Sequence, residues 1–174
     1  MYERGIENIR YAIIEQAVYD YIIAVRNIAL LNMKCYQINR IVEEGRKDPY
    51  KPKYYTVEEA ENKRQYRLTM EIIRLNEVEG FFRSQWYDGM CDIGYDEMLM
   101  LTKEKSIDEI VDKCIFGLKR VKPKNISTKK SQKALFEYQV LMNFLKSEYL
   151  QRFTSRTAEE ILEYIKSESK CEYV

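Results

Sequence analysis

The sequence predicts an all-α fold: a long, coiled-coil-like antiparallel helical hairpin with three to four shorter helices packed against it. Apolar residues recur at steps of three and four, the spacing of one helical face, through several long stretches of the chain. Charged residues make up 33% of the 174 residues, with only 6 Gly and 3 Pro, which suits long helices better than a β-sandwich. The 45% hydrophobic content is enough for one domain, or one domain with a helical appendage.

The first helix is predicted over 3–44 and is ended by Gly45. Its apolar stripe alternates in steps of three and four, as in a coiled-coil seam, with Asp20 as its one polar interruption. The stripe consists of Ile6, Ile9, Ile13, Ala17, Asp20, Ala24, Ile28, Leu31, Cys35, Ile38 and Val42.

The second helix is predicted over 57–87, after a connection at 46–55 that contains two prolines. Thr56 and Glu59 have the spacing of a capping box, which opens a helix. A short connection between two long helices makes them antiparallel. With residue 45 facing residue 57, the pairs Asp20–Arg83 and Arg26–Glu79 are predicted to be close, because a charge in a seam needs a counter-charge.

Four shorter helices are predicted after the hairpin. Two span 94–104 and 107–120, the second opened by a capping box at Ser106, and both are expected to cover Ile6, Ile9 and Ile13. The other two span 128–153 and 158–168, the last opened by a capping box at Thr157. The predicted organisation is a body at 1–120, a basic linker at 121–127 and a C-terminal helical pair at 128–174.

The stretch 68–88 is predicted to organise the rest of the chain. Phe82 and Trp86 lie on its apolar face and are assigned to the core, while Gly80 would let a second backbone approach. A partner-binding surface is predicted, because aromatic and arginine side chains dominate binding energies. It consists of Phe81, Arg83 and Tyr87, with Tyr50 and Tyr54 at the hairpin tip. The alternative assigns the aromatic residues to the core and pairs Glu79 with Arg83.

A basic segment at 119–133 carries seven cationic residues and no acidic one. They are Lys119, Arg120, Lys122, Lys124, Lys129, Lys130 and Lys133. Such a segment can lie along phosphates, and the basic and aromatic hairpin tip at 46–55 can stack on bases. The favoured interpretation is a solvated linker, because charge runs are commonly only solvated.

Much chemistry is excluded by composition. The chain has no histidine, so a catalytic triad cannot form, and it contains neither common nucleotide-binding loop. Its four cysteines form no C-x-x-C pair. The chain is therefore predicted to have no catalytic residue, cofactor or metal ion. It also lacks a signal-peptide layout and an apolar run of about 18 residues, which predicts an intracellular protein without membrane contact.

Two segments carry a family resemblance: AIIEQAVYDY in the first helix and EVEGFFRSQWYDGMCDIGYDEML after it. Over about residues 6–104 the chain resembles small proteins of phages and mobile elements in low-GC Gram-positive bacteria. The resemblance implies a cytoplasmic setting in a bacterial host and no particular activity. The leading hypothesis is a non-enzymatic helical protein that binds a host protein, for example as an inhibitor of an antiviral defence system. The alternatives are a nucleic-acid-binding accessory protein and a self-assembling, homodimeric structural protein.

Overall fold

The computed structural model describes residues 2–31, 56–147 and 149–174, with side chains described from residue 6 onward. Within these ranges the regular elements are helices and no strand occurs, so the all-α prediction is confirmed. The α-helices are α1 (Tyr2–Leu31), α2 (Val57–Phe82), α3 (Gln85–Asp88), α4 (Tyr95–Leu118), α5 (Lys129–Leu145) and α6 (Ala158–Ser169). Short 3-10 turns occur at Pro123–Asn125 and Leu150–Arg152. None of the described helices has the length and apolar character needed to cross a membrane.

Several predictions fall outside the described residues. These are the continuation of the first helix past residue 31, its end at Gly45, and the hairpin tip with Tyr50 and Tyr54. They remain predictions.

The chain divides into two compact units, Met1–Cys91 and Asp92–Val174. The predicted first body ends at residue 120, but α4 belongs to the second unit, where it packs against α5 and α6. α4 is also one continuous helix in place of the two predicted short ones. The Ser106 hydroxyl does not cap a helix: it is buried in the middle of α4 and donates a 2.7 Å hydrogen bond to the Thr102 carbonyl. A serine hydroxyl can cap a new helix or bond a carbonyl of the preceding turn, so the capping motif alone did not decide whether a helix starts at Ser106.

In the first unit, α1 and α2 run antiparallel. Three hydrogen bonds show the direction, because the α2 partner moves back along the chain as the α1 residue moves forward. They join the Tyr21 hydroxyl to Glu79 (3.1 Å), the Asn27 amide to Glu71 (2.9 Å) and the Arg64 guanidinium to the Leu31 carbonyl (2.6 Å). The predicted register would place residues 81, 75 and 71 opposite 21, 27 and 31. The observed register therefore differs from the predicted one by a few residues near Tyr21 and by more near Leu31. The coiled-coil packing of the hairpin remains a prediction.

The carboxylates of the two predicted ion pairs have neighbours that the sequence analysis did not name. Asp20 accepts a 3.0 Å hydrogen bond from Gln16, one turn earlier on α1. Glu79 accepts the Tyr21 hydroxyl, and burial, followed by the charge of Glu79, raises the pKa of Tyr21 above its ordinary range. The pairs Asp20–Arg83 and Arg26–Glu79 stay predictions.

The buried face of α1 lies mainly in its second half, with Ile14 buried in the first half. Ala24, Ile28 and Leu31 are buried there as the predicted seam requires, and Tyr21 and Val25 join them with no exposed surface. At its start α2 has the predicted cap: the Thr56 hydroxyl accepts the Glu59 amide, and the Glu59 carboxylate accepts the Thr56 amide. This reciprocal bonding satisfies two amides that the first helical turn leaves without intrahelical partners.

The second unit is built on α4, α5 and α6. The predicted capping box at Thr157 opens α6 and is confirmed. The helix predicted over 128–153 instead ends at Leu145, and a bend follows in which the Ser147 hydroxyl donates to the Phe144 carbonyl. The bend lets Phe153 fold back, so that its ring centroid lies 6.3 Å from that of Phe144. The segment before α6 is tied to α4 because Arg156 donates to both Glu104 and Asp108.

Candidate partner-binding groove

An open groove lies in the first unit between the N-terminal half of α1 and the short helix α3. Its volume is ≈ 470 Å³. The side chains that line it are Ile6, Ile9, Arg10 and Ile13 from α1, with Gln85, Trp86, Gly89 and Met90 from α3 and the turn after it. We call this feature the α1–α3 groove.

The α1 wall of the groove is an apolar stripe. Ile6, Ile9 and Ile13 recur at steps of three and four, so they project from one face of α1. They are 47%, 61% and 43% exposed. The two short helices predicted to cover them correspond to α4, which belongs to the second unit, so that cover stays a prediction. The stripe continues the spacing of the hairpin seam into a region where it lies at the surface.

The α3 wall depends on a break between α2 and α3. Ser84 is the N-cap of α3: its hydroxyl accepts the Tyr87 amide at 3.3 Å and donates to the Phe81 carbonyl at 2.6 Å. Behind the break, Phe82 and Tyr87 are fully buried, with ring centroids 5.4 Å apart. Phe81 joins them at 5.7 and 6.0 Å. This aromatic cluster anchors α3 on the core of the first unit.

Trp86 points away from that cluster and is 79% exposed. A continuous helix over 57–87 would put Phe82 and Trp86 one turn apart on the same face, which is why the sequence predicts Trp86 in the core. The break at Ser84 changes the helical phase, so Tyr87 takes the inward position and Trp86 the outward one. The signal in the sequence was Ser84 itself, since serine is a preferred N-cap residue.

Arg10 is the only charged side chain among the described residues that line the groove. It is exposed, and no ion pair found among the described side chains includes it. The groove therefore combines apolar walls with one cation that is available to a partner.

The predicted partner-binding residues differ in how far they are exposed. Tyr87 is buried with no exposed surface, so its assignment to a surface is wrong, and Phe81 is half-buried in the same cluster. Arg83 is exposed and lies at the C-cap of α2. The interface-like aromatic residue of this region is Trp86, for which a place in the core was favoured over the partner surface.

The basic segment at 119–133 is partly engaged within the second unit. Lys119 lies 3.9 Å from Glu168, Lys133 lies 3.7 Å from Glu137, and the Arg120 guanidinium stacks 3.9 Å from the Phe116 ring centroid. Lys119 is also the C-cap residue of α4. Cations are favourable at helix C termini, which carry partial negative charge. The end of the segment at Lys119 and Arg120 therefore has a structural role.

The other end of the basic segment has a different electrostatic setting. Lys129 and Lys130 are exposed in the first turn of α5, which contains no acidic residue. A helix N terminus carries partial positive charge, so lysines there add to an already positive region. Lys122 and Lys124 are exposed as well.

The groups with shifted pKa values are held by the fold. Burial raises the pKa of the Cys114 thiol to about 12, and burial also raises the pKa of the Tyr138 phenol. The hydrogen bond from Arg64 to Glu61 raises the pKa of that guanidinium. These shifts come from core packing and structural ion pairing. They identify groups that the native state keeps protonated.

Comparisons of the chain with protein-family models, with curated proteins and with solved structures find no match.

Proposed function

We propose that the protein is a non-enzymatic helical protein that binds a host protein through the α1–α3 groove. The observation that carries the proposal is the 79% exposure of Trp86 beside the exposed isoleucine stripe of α1. Tryptophan is enriched at binding hot spots, because its large ring removes much apolar surface from water when a partner covers it.

The size of the effect follows from the exposed ring. A partner that covers about 150 Å² of Trp86 would gain about 4 kcal/mol at about 25 cal/mol per Å². Part of that gain offsets the ordering of side chains at the interface. Truncation of Trp86 to alanine should therefore cost about 2–4 kcal/mol of binding free energy, a loss of about 30- to 1,000-fold in affinity.

The bacterial cytoplasm is proposed as the place of action from the resemblance of residues 6–104 to phage and mobile-element proteins. A component of an antiviral defence system is proposed as the target because the chain is helical, rich in aromatic residues, near neutral in net charge, and without a recognisable catalytic motif. A binding protein of this kind inhibits by occupying a surface of its target, and it needs no catalytic group of its own.

The test is a tagged pull-down from a low-GC Gram-positive lysate, run with and without nuclease treatment. Trp86→Ala is compared with Tyr66→Ala, because Tyr66 is an aromatic side chain of α2 with 65% exposure that does not line the groove. We expect one nuclease-resistant protein that the wild type and Tyr66→Ala retain and Trp86→Ala loses, with unchanged circular dichroism. Equal recovery by both variants would contradict the assignment of the groove.

A second candidate function, nucleic-acid binding, is favoured by Lys129 and Lys130 at the positive end of α5. Binding through phosphate contacts weakens steeply as salt rises, because counterions are released on association. The double variant Lys129→Glu/Lys130→Glu should then abolish binding to duplex DNA or RNA while Trp86→Ala spares it. Recovery of partners that vanish with nuclease would favour this candidate over the first.

A further inference from the structure

We infer that the occupant of the α1–α3 groove is an amphipathic α-helix of the partner protein, carrying a carboxylate that faces Arg10. This inference rests on the proposed function and specifies the chemistry of the partner. Three properties of the groove carry it: its spacing, the absence of a strand edge in the described chain, and its single cation.

The spacing of the apolar side chains fits a helix. Ile6 and Ile13 are seven residues apart on one face of α1, which corresponds to about 10 Å along the axis. A partner helix with apolar residues at i, i+3 or i+4, and i+7 presents anchors over the same length. Trp86 and Met90 form the opposite wall, and methionine adapts its shape to different apolar side chains.

Binding of an extended peptide is disfavoured by the backbone. Strand addition needs the unpaired N–H and C=O groups of a sheet edge, and the regular elements of the described residues are helices. Proline-rich peptides dock on grooves lined by aromatic residues. Here one aromatic residue, Trp86, faces a wall of isoleucines, which matches the apolar face of a helix better.

The charge of the occupant follows from Arg10. Its guanidinium can bond a carboxylate with two parallel N–H donors, and the apolar surroundings strengthen such a contact by excluding water. A lysine or arginine at the same place on a partner helix would be repelled. The groove therefore selects helices by the sign of one charge as well as by their apolar face.

A second copy of this chain is a poorer occupant. In a two-fold symmetric dimer that uses the same groove on both copies, Ile6 of one copy would oppose Ile13 of the other. Arg10 lies between these two positions, so the two guanidinium groups would come close to each other. Like charges at such a contact are destabilising, which favours a different protein as the partner.

The experiment uses Trp86 as the reporter, because it is the only tryptophan of the chain. The probes are two tryptophan-free stapled helical peptides with leucine at i, i+4 and i+7, which differ only in one position beside the leucines: glutamate in one, lysine in the other. Binding is followed as a blue shift of the Trp86 emission during titration of the full-length protein. We expect the glutamate peptide to bind about tenfold or more tightly than the lysine peptide.

Charge reversal provides the matched controls. Arg10→Glu should reverse the order of the two peptides, whereas Arg26→Glu, an exposed arginine of α1 that does not line the groove, should leave it unchanged. Equal binding of both peptides by the wild type, or an unchanged order in Arg10→Glu, would overturn the charge assignment. In that case a Trp86-dependent partner in the pull-down would still support the groove as a binding site.

Two further outcomes separate this inference from the proposed function. Failure of both peptides to shift the emission, together with a Trp86-dependent partner in the pull-down, would overturn the helical mode of binding alone. Failure in both experiments would overturn the two together. A dimer in light scattering that Arg10→Gln strengthens, because this change removes the repulsion between the two guanidinium groups, would identify a second copy as the occupant and would contradict the inference.

Discussion

The replacement of Arg64 by methionine should destabilise the first unit strongly, because this arginine is buried where α2 meets α1. Arg64 is 8% exposed, donates to the Leu31 carbonyl at 2.6 Å and contacts both carboxylate oxygens of Glu61 at 3.0 and 2.6 Å. Methionine keeps much of the apolar stem and removes the charge. The variant therefore tests the polar contacts more than the packing.

The magnitude follows from the two contacts that are lost. A hydrogen bond from a charged donor contributes about 1.5–3 kcal/mol, and the carbonyl of Leu31 is left without this donor. The Glu61 contact adds about 1 kcal/mol, because the Glu61 side chain is 23% exposed and water compensates part of the loss. We expect Arg64→Met to lower the free energy of unfolding by about 3 kcal/mol in total.

Arg74→Met is the matched control for Arg64→Met. Arg74 lies on the same helix and pairs with a glutamate at the same i,i+3 spacing, Glu71 at 3.1 Å, but its side chain is 46% exposed. An exposed pair of this kind contributes about 0.5 kcal/mol or less. The two variants therefore differ chiefly in burial and in the reach of Arg64 to α1.

Urea unfolding followed by far-UV circular dichroism is the assay, since the described regular elements of the first unit are helices and the emission of Trp86, already 79% exposed in the native state, would change little on unfolding. The combination of Glu61→Gln with Arg64→Met completes a double-mutant cycle and separates the contact to Glu61 from the contact to Leu31. If Arg64→Met and Arg74→Met lose the same stability to within about 0.5 kcal/mol, the argument from burial is wrong.

Three further predictions concern caps, glycines and pH. Thr157→Ala should lower the free energy of unfolding by about 1 kcal/mol, because it removes a helix cap. Ser106→Ala should lower it by under about 0.5 kcal/mol, because that hydroxyl lies within a helix. Urea unfolding compares the two variants. Gly80→Ala should raise the free energy of unfolding by about 0.5–1 kcal/mol, since an added Cβ meets nothing within 4 Å. Gly117→Ala should not raise it, because the added Cβ would meet a methyl group of α5 at 3.3 Å. Thermal unfolding of both variants measures the difference. Burial raises the pKa of the Cys114 thiol from its ordinary value of 9.0 to about 12, so the unfolded chain loses this proton first and stability should fall as pH rises above 9.0. The slope approaches about 1.4 kcal/mol per pH unit, and a Cys114→Ala variant should show a flatter profile in urea titrations between about pH 8 and about pH 10.

The features that the sequence determined by itself are those that depend on a single turn of chain. Thr56 and Thr157 start helices as predicted, because a hydroxyl three residues before a glutamate satisfies free amides locally. The helical class follows in the same way from spacing and from the scarcity of glycine and proline. Such interactions close within a few residues, so a sequence pattern is enough to identify them.

The tertiary structure decided which of several local solutions is used. Ser106 has the same motif as the two caps, but α4 continues through it, where its hydroxyl bonds the preceding turn. Ser84 was not chosen from the sequence, yet it ends one helix and starts the next. Each choice depends on which side chains the neighbouring helices can bury, and that information lies outside the local pattern.

In the α1–α3 groove, too, some features follow from the sequence and others from the packing of the helices. The isoleucine stripe of α1 is readable from spacing alone, but its exposure is not, because it depends on where the packing of α2 on α1 stops. Trp86 is at the surface and Tyr87 in the core because a two-residue break between α2 and α3 shifts the helical phase before the aromatic cluster forms. The sequence determined which apolar side chains exist and how they are spaced, and only the packing of the helices decided which of them a partner can reach.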